Sequence, residues 1–255
     1  QALGEDVALL MLTHVHYKTG ALHDMAALTR AAHEAGALVL WDLSHSTGAL
    51  PVDLNGAEAD FAVGCGYKYL CGGPGAPAFA FVAERHQADV QQPLTGWFGH
   101  AAPFAFSDDY AGAPGIDRLQ CGTPPVLGLA ALEVGVDLIA EIGVARLYGK
   151  SQALSEFFLE SLMAHDVHLD LVSPPRSADR GSQLSFRHPE AYAICQALIA
   201  RGVIGDFRAP DVLRLGFAPA YLSFADIAAA ARHLAEVLAS GEWQRLEFNQ
   251  RAAVT

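Results

Sequence analysis

Residues Phe61–Gly75, FAVGCGYKYLCGGPG, constrain the fold more than any other stretch. Phe61 to Val63 is an apolar run that reads as a buried strand. It stops at Gly64 and Gly66, and Lys68 follows between Tyr67 and Tyr69. A Gly-Gly-Pro-Gly turn comes next, then a second apolar run, Ala76 to Val82. Strand, turn and strand therefore display one lysine at a sheet end. An ammonium held between two buried strands is costly as a bare cation. Such a site lowers its pKa and frees the neutral amine to act as a nucleophile toward a carbonyl. The same residues are compatible with a lysine that snorkels to water from an ordinary turn.

The upstream chain supplies a frame for that turn. Val7 to Leu12 is apolar throughout and reads as a parallel strand buried on both faces. Asp24 is placed to cap a helix from Met25 to about Ala35, with Gly36 as its stop. The strand Ala37 to Trp41 follows, and this β-α-β order implies a right-handed crossover and parallel pairing. Asp42-Leu-Ser-His-Ser-Thr-Gly48 leaves the C-terminal end of that strand. Ligands of open α/β sheets bind at the carboxyl ends of strands, so Asp42, His45 and Lys68 gather at one edge. An aspartate facing a pyridinium nitrogen, with a lysine amine on the next strand, is the electronic arrangement of a pyridoxal phosphate (PLP) site.

Five segments carry a resemblance: Trp41-Asp-Leu-Ser-His45, Asp60-Phe-Ala-Val-Gly-Cys-Gly-Tyr-Lys-Tyr-Leu70, Gly73-Pro-Gly-Ala-Pro77, Gly96-Trp-Phe-Gly-His100 and Gly122-Thr-Pro-Pro125. The first two are shared by PLP lyases, desulfurases and aminotransferases. Gly-Trp-Phe-Gly-His, at its distance after the lysine, is more specific. On these residues the chain resembles the kynureninases, PLP enzymes of the aspartate-aminotransferase fold. The resemblance runs along most of the chain and is weakest after about Ser177.

The resemblance implies an α/β large domain, partial here, over residues 1–130, then a linking helix and small α+β domain over 131–255. It implies that Lys68 holds PLP and removes the substrate α-proton, and that Asp42 pairs with the pyridine nitrogen. His45 would lie beside the ring, and Thr13 near it. Tyr67, Trp97 and Thr123 would reach the cofactor phosphate, Thr123 across a homodimer interface, and Tyr67 would also be a proton donor. Arg214 would bind the substrate α-carboxylate with its planar fork. The implied reaction is hydrolysis of the Cβ–Cγ bond of L-kynurenine or its 3-hydroxy form.

Each residue has a plainer reading. Thr13 suits a strand-end hydroxyl, and His45 a turn histidine. Trp97 suits a core or interface position. Thr123 can be an N-cap with Pro124 at the first helical position. Arg214 can be a surface strand arginine. The runner-up activity is that of a cysteine desulfurase or selenocysteine lyase, and a third reading is a non-catalytic fragment of such an enzyme. Cys65, Cys71 and Cys121 flank structural glycines and Cys195 reads as a helix residue, so none suits a mobile nucleophile.

Composition sets the limits. The chain has 255 residues and a formal net charge of -12, which makes nucleic acid and anionic membrane poor partners. Four scattered cysteines form no Cys-x-x-Cys pair, in keeping with a reducing compartment and a cytoplasmic protein. His14 and His16, like His165 and His168, have paired spacing but no third ligand cluster, so no metal is expected. The sequence opens at Gln1 and runs directly into a strand, so roughly 150 further N-terminal residues are expected for a complete sheet of this kind.

Downstream, His86 to Val90 reads as a short polar helix, and Val126 to about Glu141 as a helix apolar all round and buried. Val144 to His165, Glu190 to Ala200 and Phe224 to Leu238 read as helices. Val167 to Val172, Gln183 to Phe186, Val203 to Phe207 and Val212 to Leu215 read as strands.

Overall fold

The computed structural model describes residues 3–251, so Gln1 lies outside it. They form two compact units. The first holds the described residues up to His14, then Asp24–Ser44 and Val52–Leu138. The second holds Val15–His23, His45–Pro51 and the chain from Ile139 onward.

The first unit is built on a four-stranded sheet in the order β1 (Leu9–Thr13), β2 (Leu38–Asp42), β3 (Phe61–Cys65), β4 (Ala78–Val82). β1, β2 and β3 are parallel, and β4 runs back antiparallel to β3. The crossover between β1 and β2 is α1 (Met25–Glu34), whose N-cap Asp24 accepts from the Ala27 N–H at 2.9 Å. Met25 and Ala32 of α1 pack on Val39, Trp41 and Ala62, and the Trp41 indole N–H donates to Thr29 Oγ1 at 3.1 Å.

The opposite face departs from the sequence reading. β1 is not buried on both faces: Met11 is 62% exposed, and Leu9 and Leu38 beside it are also open. Apolar alternation cannot distinguish a strand sheltered on both sides from one sheltered on a single side, and α1 covers only one. His86 to Val90 forms no helix; a single 3-10 turn, Glu84–His86, ends in turn geometry.

A further correction concerns α2 (Val126–Ile142). It is not buried all round, and Leu127 is 89% exposed, with Val126 and Val134 also largely open. Its packed side is a narrow stripe of helical spacing, Gly128, Leu132 and Gly135, set against the lysine turn. A Cβ on Gly135 would lie 2.2 Å from the Leu70 carbonyl oxygen, and one on Gly66 or Gly72 would meet Leu132 at 2.9 Å. The helix crosses backbone to backbone there, which only residues without side chains allow.

The second unit carries an antiparallel sheet in the order β5 (Asp170–Leu171), β6 (Gln183–Arg187), β8 (Val212–Gly216), β7 (Asp206–Arg208). Of the expected strand Val167 to Val172, Asp170 and Leu171 form β5, and the Val172 N–H adds a bond to the Ser185 carbonyl of β6 at 2.8 Å. α3 (Val144–Ala164), α4 (Ala191–Ala200) and α5 (Phe224–Ser240) supply Leu154, Phe158, Leu198 and Leu234 to its core, with Phe186 and Leu213 from the sheet. α5 begins in a capping box between Ser223 and Asp226 and ends at Gly241 in the left-handed region. The short α6 (Leu246–Asn249) adds Phe248 to this core.

Candidate active site

At the carboxyl edge of the first sheet, Thr13 of β1 stands directly across from Asp42 of β2, and Asp42 across from Val63 of β3. The Asp42 carboxylate is held in place by its own loop: Oδ1 accepts the Ser44 N–H at 2.8 Å. The His14 N–H donates to the Asp42 carbonyl at 2.9 Å, and the His14 ring meets Trp41 edge-on at 5.9 Å. β3 leaves the sheet beside this loop, with the Cys65 thiol 3.8 Å from the Ser44 carbonyl. Three residues on is Lys68.

Of the two placements open for Lys68, sealed between strands or reaching out from a turn, the structure has the turn. It sits half-buried on the turn after β3, with Nζ 5.4 Å from the centroid of the exposed Tyr67 ring. The turn itself is firmly built. Gly72 N–H bonds to the Gly66 carbonyl at 2.9 Å, and Gly66 N–H to the Pro77 carbonyl at 3.0 Å. Gly73 and Gly75 both adopt positive φ, which the Gly-Gly-Pro-Gly sequence permits without strain. The geometry thus presents a half-buried lysine on a built turn and a fixed carboxylate at one sheet edge.

Trp97 and Thr123 form a second grouping in the same unit. Trp97 is partly exposed and packs edge-on against Phe98 at 4.5 Å and Phe104 at 5.8 Å. Its flanking glycines set the spacing between two loops. A Cβ on Gly96 would lie 1.5 Å from the Cys121 carbonyl oxygen, and one on Gly99 2.5 Å from that of Gln120. The loop bearing Trp97 is therefore seated directly on the backbone that leads to Thr123. Thr123 is exposed, and α2 starts at Val126, so Thr123 stands too far upstream to be its N-cap.

His45 and Arg214 belong to the second unit. Arg214 lies on β8 with its side chain 11% exposed. Its guanidinium is not an empty fork. Nε donates to Asp206 Oδ1 at 2.8 Å, Nη2 donates to Asp206 Oδ2, and Nη1 donates to the Tyr17 carbonyl. Arg208 donates to Asp206 Oδ2 at 3.2 Å, and the Lys18 ammonium to the Ala209 carbonyl at 2.6 Å. In a chain of net charge -12 this is a local concentration of cations. Burial, then His23 and Lys18, push the nearby His16 below its ordinary value.

One group the sequence reading did not single out stands in the first unit, at the amino end of β3. Asp60 is 1% exposed and its carboxylate takes four donors. Oδ2 receives the Val39 N–H and His33 Nε2, both at 2.8 Å. Oδ1 receives Arg85 at 2.6 Å and His86 Nε2 at 2.7 Å. Burial alone would raise its pKa; the bonds from His33, His86, Val39 and Arg85 outweigh it and hold the carboxyl well below the usual carboxylate range. An aspartate directly before an apolar strand was the only signal for it.

The cysteines separate by environment. Cys195 is fully buried in α4, and burial, with Asp206 second, pushes its thiol up to about 12. Burial also raises the Cys71 thiol.

Comparison with known proteins shows what this chain is similar to. A family described as "Kynureninase C-terminal domain" matches residues 147–234. The kynureninase of Burkholderia mallei (strain SAVP1) is 51% identical over 257 residues, and that of Pseudomonas fluorescens 50% over 259. Each match covers 100% of this chain and 62% of the relative, so the chain spans about three-fifths of the length of the curated relatives it matches. Among solved structures, the apo cysteine desulfurase of Thermococcus onnurineus NA1 superposes with a TM-score of 0.79 at 19% identity, covering 91% of this chain and 60% of that one. A C-DES mutant with glycine covalently linked to its PLP cofactor gives 0.77 at 20% identity, covering 92% and 62%. The chain shares the fold of these two solved structures.

Proposed function

We propose that this chain, a homologue of the kynureninases along its whole length, is part of a PLP enzyme that hydrolyses L-kynurenine to anthranilate and L-alanine. The observation that carries the reading is the placement of Thr13, Asp42 and the Lys68 turn at one sheet edge, in a chain 51% identical to a kynureninase. A fixed carboxylate for a pyridinium nitrogen and a lysine amine for an aldehyde suit that cofactor. When bound, PLP supplies an electron sink that makes the substrate's α- and β-carbon acids accessible.

The chain's residues then have these roles. Asp42 keeps the ring nitrogen protonated. Lys68 holds the cofactor and takes the proton from the substrate α-carbon. Tyr67, Trp97 and Thr123 donate to the phosphate; a phenol, an indole N–H and a hydroxyl are all suited to an anion. Thr13 and His45 lie against the ring, and Arg214 takes the α-carboxylate. Tyr67 is also a proton donor in the cleavage. We assign residues 1–130 to the cofactor-binding domain and 131–255 to the linking helix and small domain, in a cytoplasmic homodimer whose site lies at the subunit interface. 3-Hydroxykynurenine is a second substrate of the same class.

The solved cysteine desulfurases of like fold suggest a rival activity, which needs an ionisable thiol at a mobile loop. Cys195 is buried with its thiol pushed up to about 12, and Cys65 is turned onto the Ser44 carbonyl, so neither of these two thiols favours it.

Anthranilate fluorescence after adding L-kynurenine to the full-length, PLP-loaded protein tests the reading. A rising signal is expected; sulfide release from L-cysteine without anthranilate would sink it in favour of the rival.

A further inference from the structure

Arg214 carries more structure than a lone substrate arginine needs. It lies opposite Asp206 in the β7–β8 ladder, so the two side chains share one face of the sheet. A guanidinium has five N–H donors. Three are accounted for: Nε and one on Nη2 to Asp206, and one on Nη1 to the Tyr17 carbonyl. One N–H on each Nη is therefore left over for a further acceptor, and a carboxylate is the acceptor a guanidinium matches best.

The anchoring is itself anchored. The Tyr17 carbonyl also accepts from Gln183 Nε2 at 2.9 Å, and the Lys18 carbonyl from Ser185 Oγ at 2.6 Å. Gln183 and Ser185 lie on β6, beside β8. Both the aspartate and the carbonyl that grip Arg214 are thus fixed to the same sheet.

Charge completes the arrangement. A single Arg–Asp pair would be neutral and would attract an anion weakly. Arg208 also bonds to Asp206, so two guanidiniums share one carboxylate and the cluster stays net positive. Asp206 can then spend its charge on orientation without cancelling the attraction for an anion.

We propose that Asp206 is a positioning residue for substrate recognition: it grips one edge of Arg214 so that the other faces the α-carboxylate of the amino-acid substrate. This rests on the reading of Arg214 as the carboxylate partner. Asp206 itself touches no substrate; it acts through Arg214. Holding a long, rotamer-rich side chain in its binding geometry beforehand removes an ordering cost from each binding event.

The test compares wild type, D206N, R214A and D206N/R214A in the full-length, PLP-loaded protein, using L-kynurenine and its α-carboxamide. D206N is expected to raise KM for L-kynurenine about tenfold or more while kcat stays within about threefold, and to leave KM for the carboxamide unchanged. In the R214A background, D206N should change KM no further. An unchanged KM in D206N overturns the proposal. So does an equal fall of kcat on both substrates, because a merely structural role predicts that pattern. If the wild type releases no anthranilate, the activity reading falls on its own, and calorimetric titration with L-alanine and L-alaninamide decides this one. Loss of the preference for L-alanine in D206N supports positioning, and its retention overturns it.

Discussion

Replacing Asp60 by alanine should unfasten the first unit at the end of the sheet opposite Lys68. The carboxylate joins α1 through His33, β2 through the Val39 N–H, and the segment after β4 through Arg85 and His86. Without it, the Val39 N–H is left buried and unsatisfied, which costs about 1–3 kcal/mol. Removing one partner from a buried charged cluster costs about 3–5 kcal/mol in all. Arg85 is nearly half exposed and also holds the Glu58 carbonyl at 2.7 Å, so it returns to water and the loss falls near the lower figure, about 3 kcal/mol. Because the chain has two compact units, one melting temperature would blur this effect. Amide exchange read in peptides covering β2 and β3 isolates it. A loss of about 3 kcal/mol speeds exchange there roughly a hundredfold where protection depends on opening of this unit. Asn, which keeps the volume and one acceptor oxygen, should lose about half as much free energy. The sign with pH follows from the depressed folded-state pKa. The unfolded chain takes up the proton first, near the ordinary value of about 4, so Asp60's contribution is full above that and drains away as pH falls further. The acid branch of the stability curve should therefore be shallower in D60N. Exchange in β2 and β3 unchanged within threefold in D60A would refute the account of Asp60 as the fastening point.

Lys68→Ala should remove turnover of L-kynurenine and the visible absorbance of bound PLP; retained turnover would end the assignment of the amine. Gly96→Ala places a methyl group 1.5 Å from the Cys121 carbonyl, although the extended backbone at Gly96 would accept alanine. The two loops must part, at a cost of about 1–3 kcal/mol or more, and exchange in the segments around Trp97 and Cys121 should rise together while β3 stays protected. Unaltered exchange would show that the loops have room to spare.

Much of the frame was legible because the signals are local. Strand–helix–strand periodicity set β1, α1 and β2; Asp24 marked the cap, and the glycines and proline marked the lysine turn. What escaped depends on distant partners. The apolarity of α2 says that some face is covered, not which one, and two of the three residues in the packed stripe Gly128, Leu132 and Gly135 are glycines, which hydropathy hardly registers. Asp60 collects His33, Arg85 and His86 from positions with no periodic relation. Arg214 could be named from its surroundings, but its bond to Asp206 is a matter of strand register. Gly96 and Gly99 were legible as a motif and not as a cause: they are packing contacts between two backbones.

The return of β4 along β3 has a consequence for the order in which the protein assembles. Cys65 pairs with Ala78 and Phe61 with Val82, so the lysine turn is the tip of a hairpin closed by near neighbours in the chain. Leu9 meets Leu38 only after the intervening loop and α1 are in place. Contacts between near neighbours lose less chain entropy on closure and form sooner. Pulse-labelled exchange during refolding should therefore protect Phe61–Cys65 and Ala78–Val82 before the parallel pairing of β1 with β2. On that schedule the amine is displayed on a finished turn while much of the surrounding site is still a disordered chain.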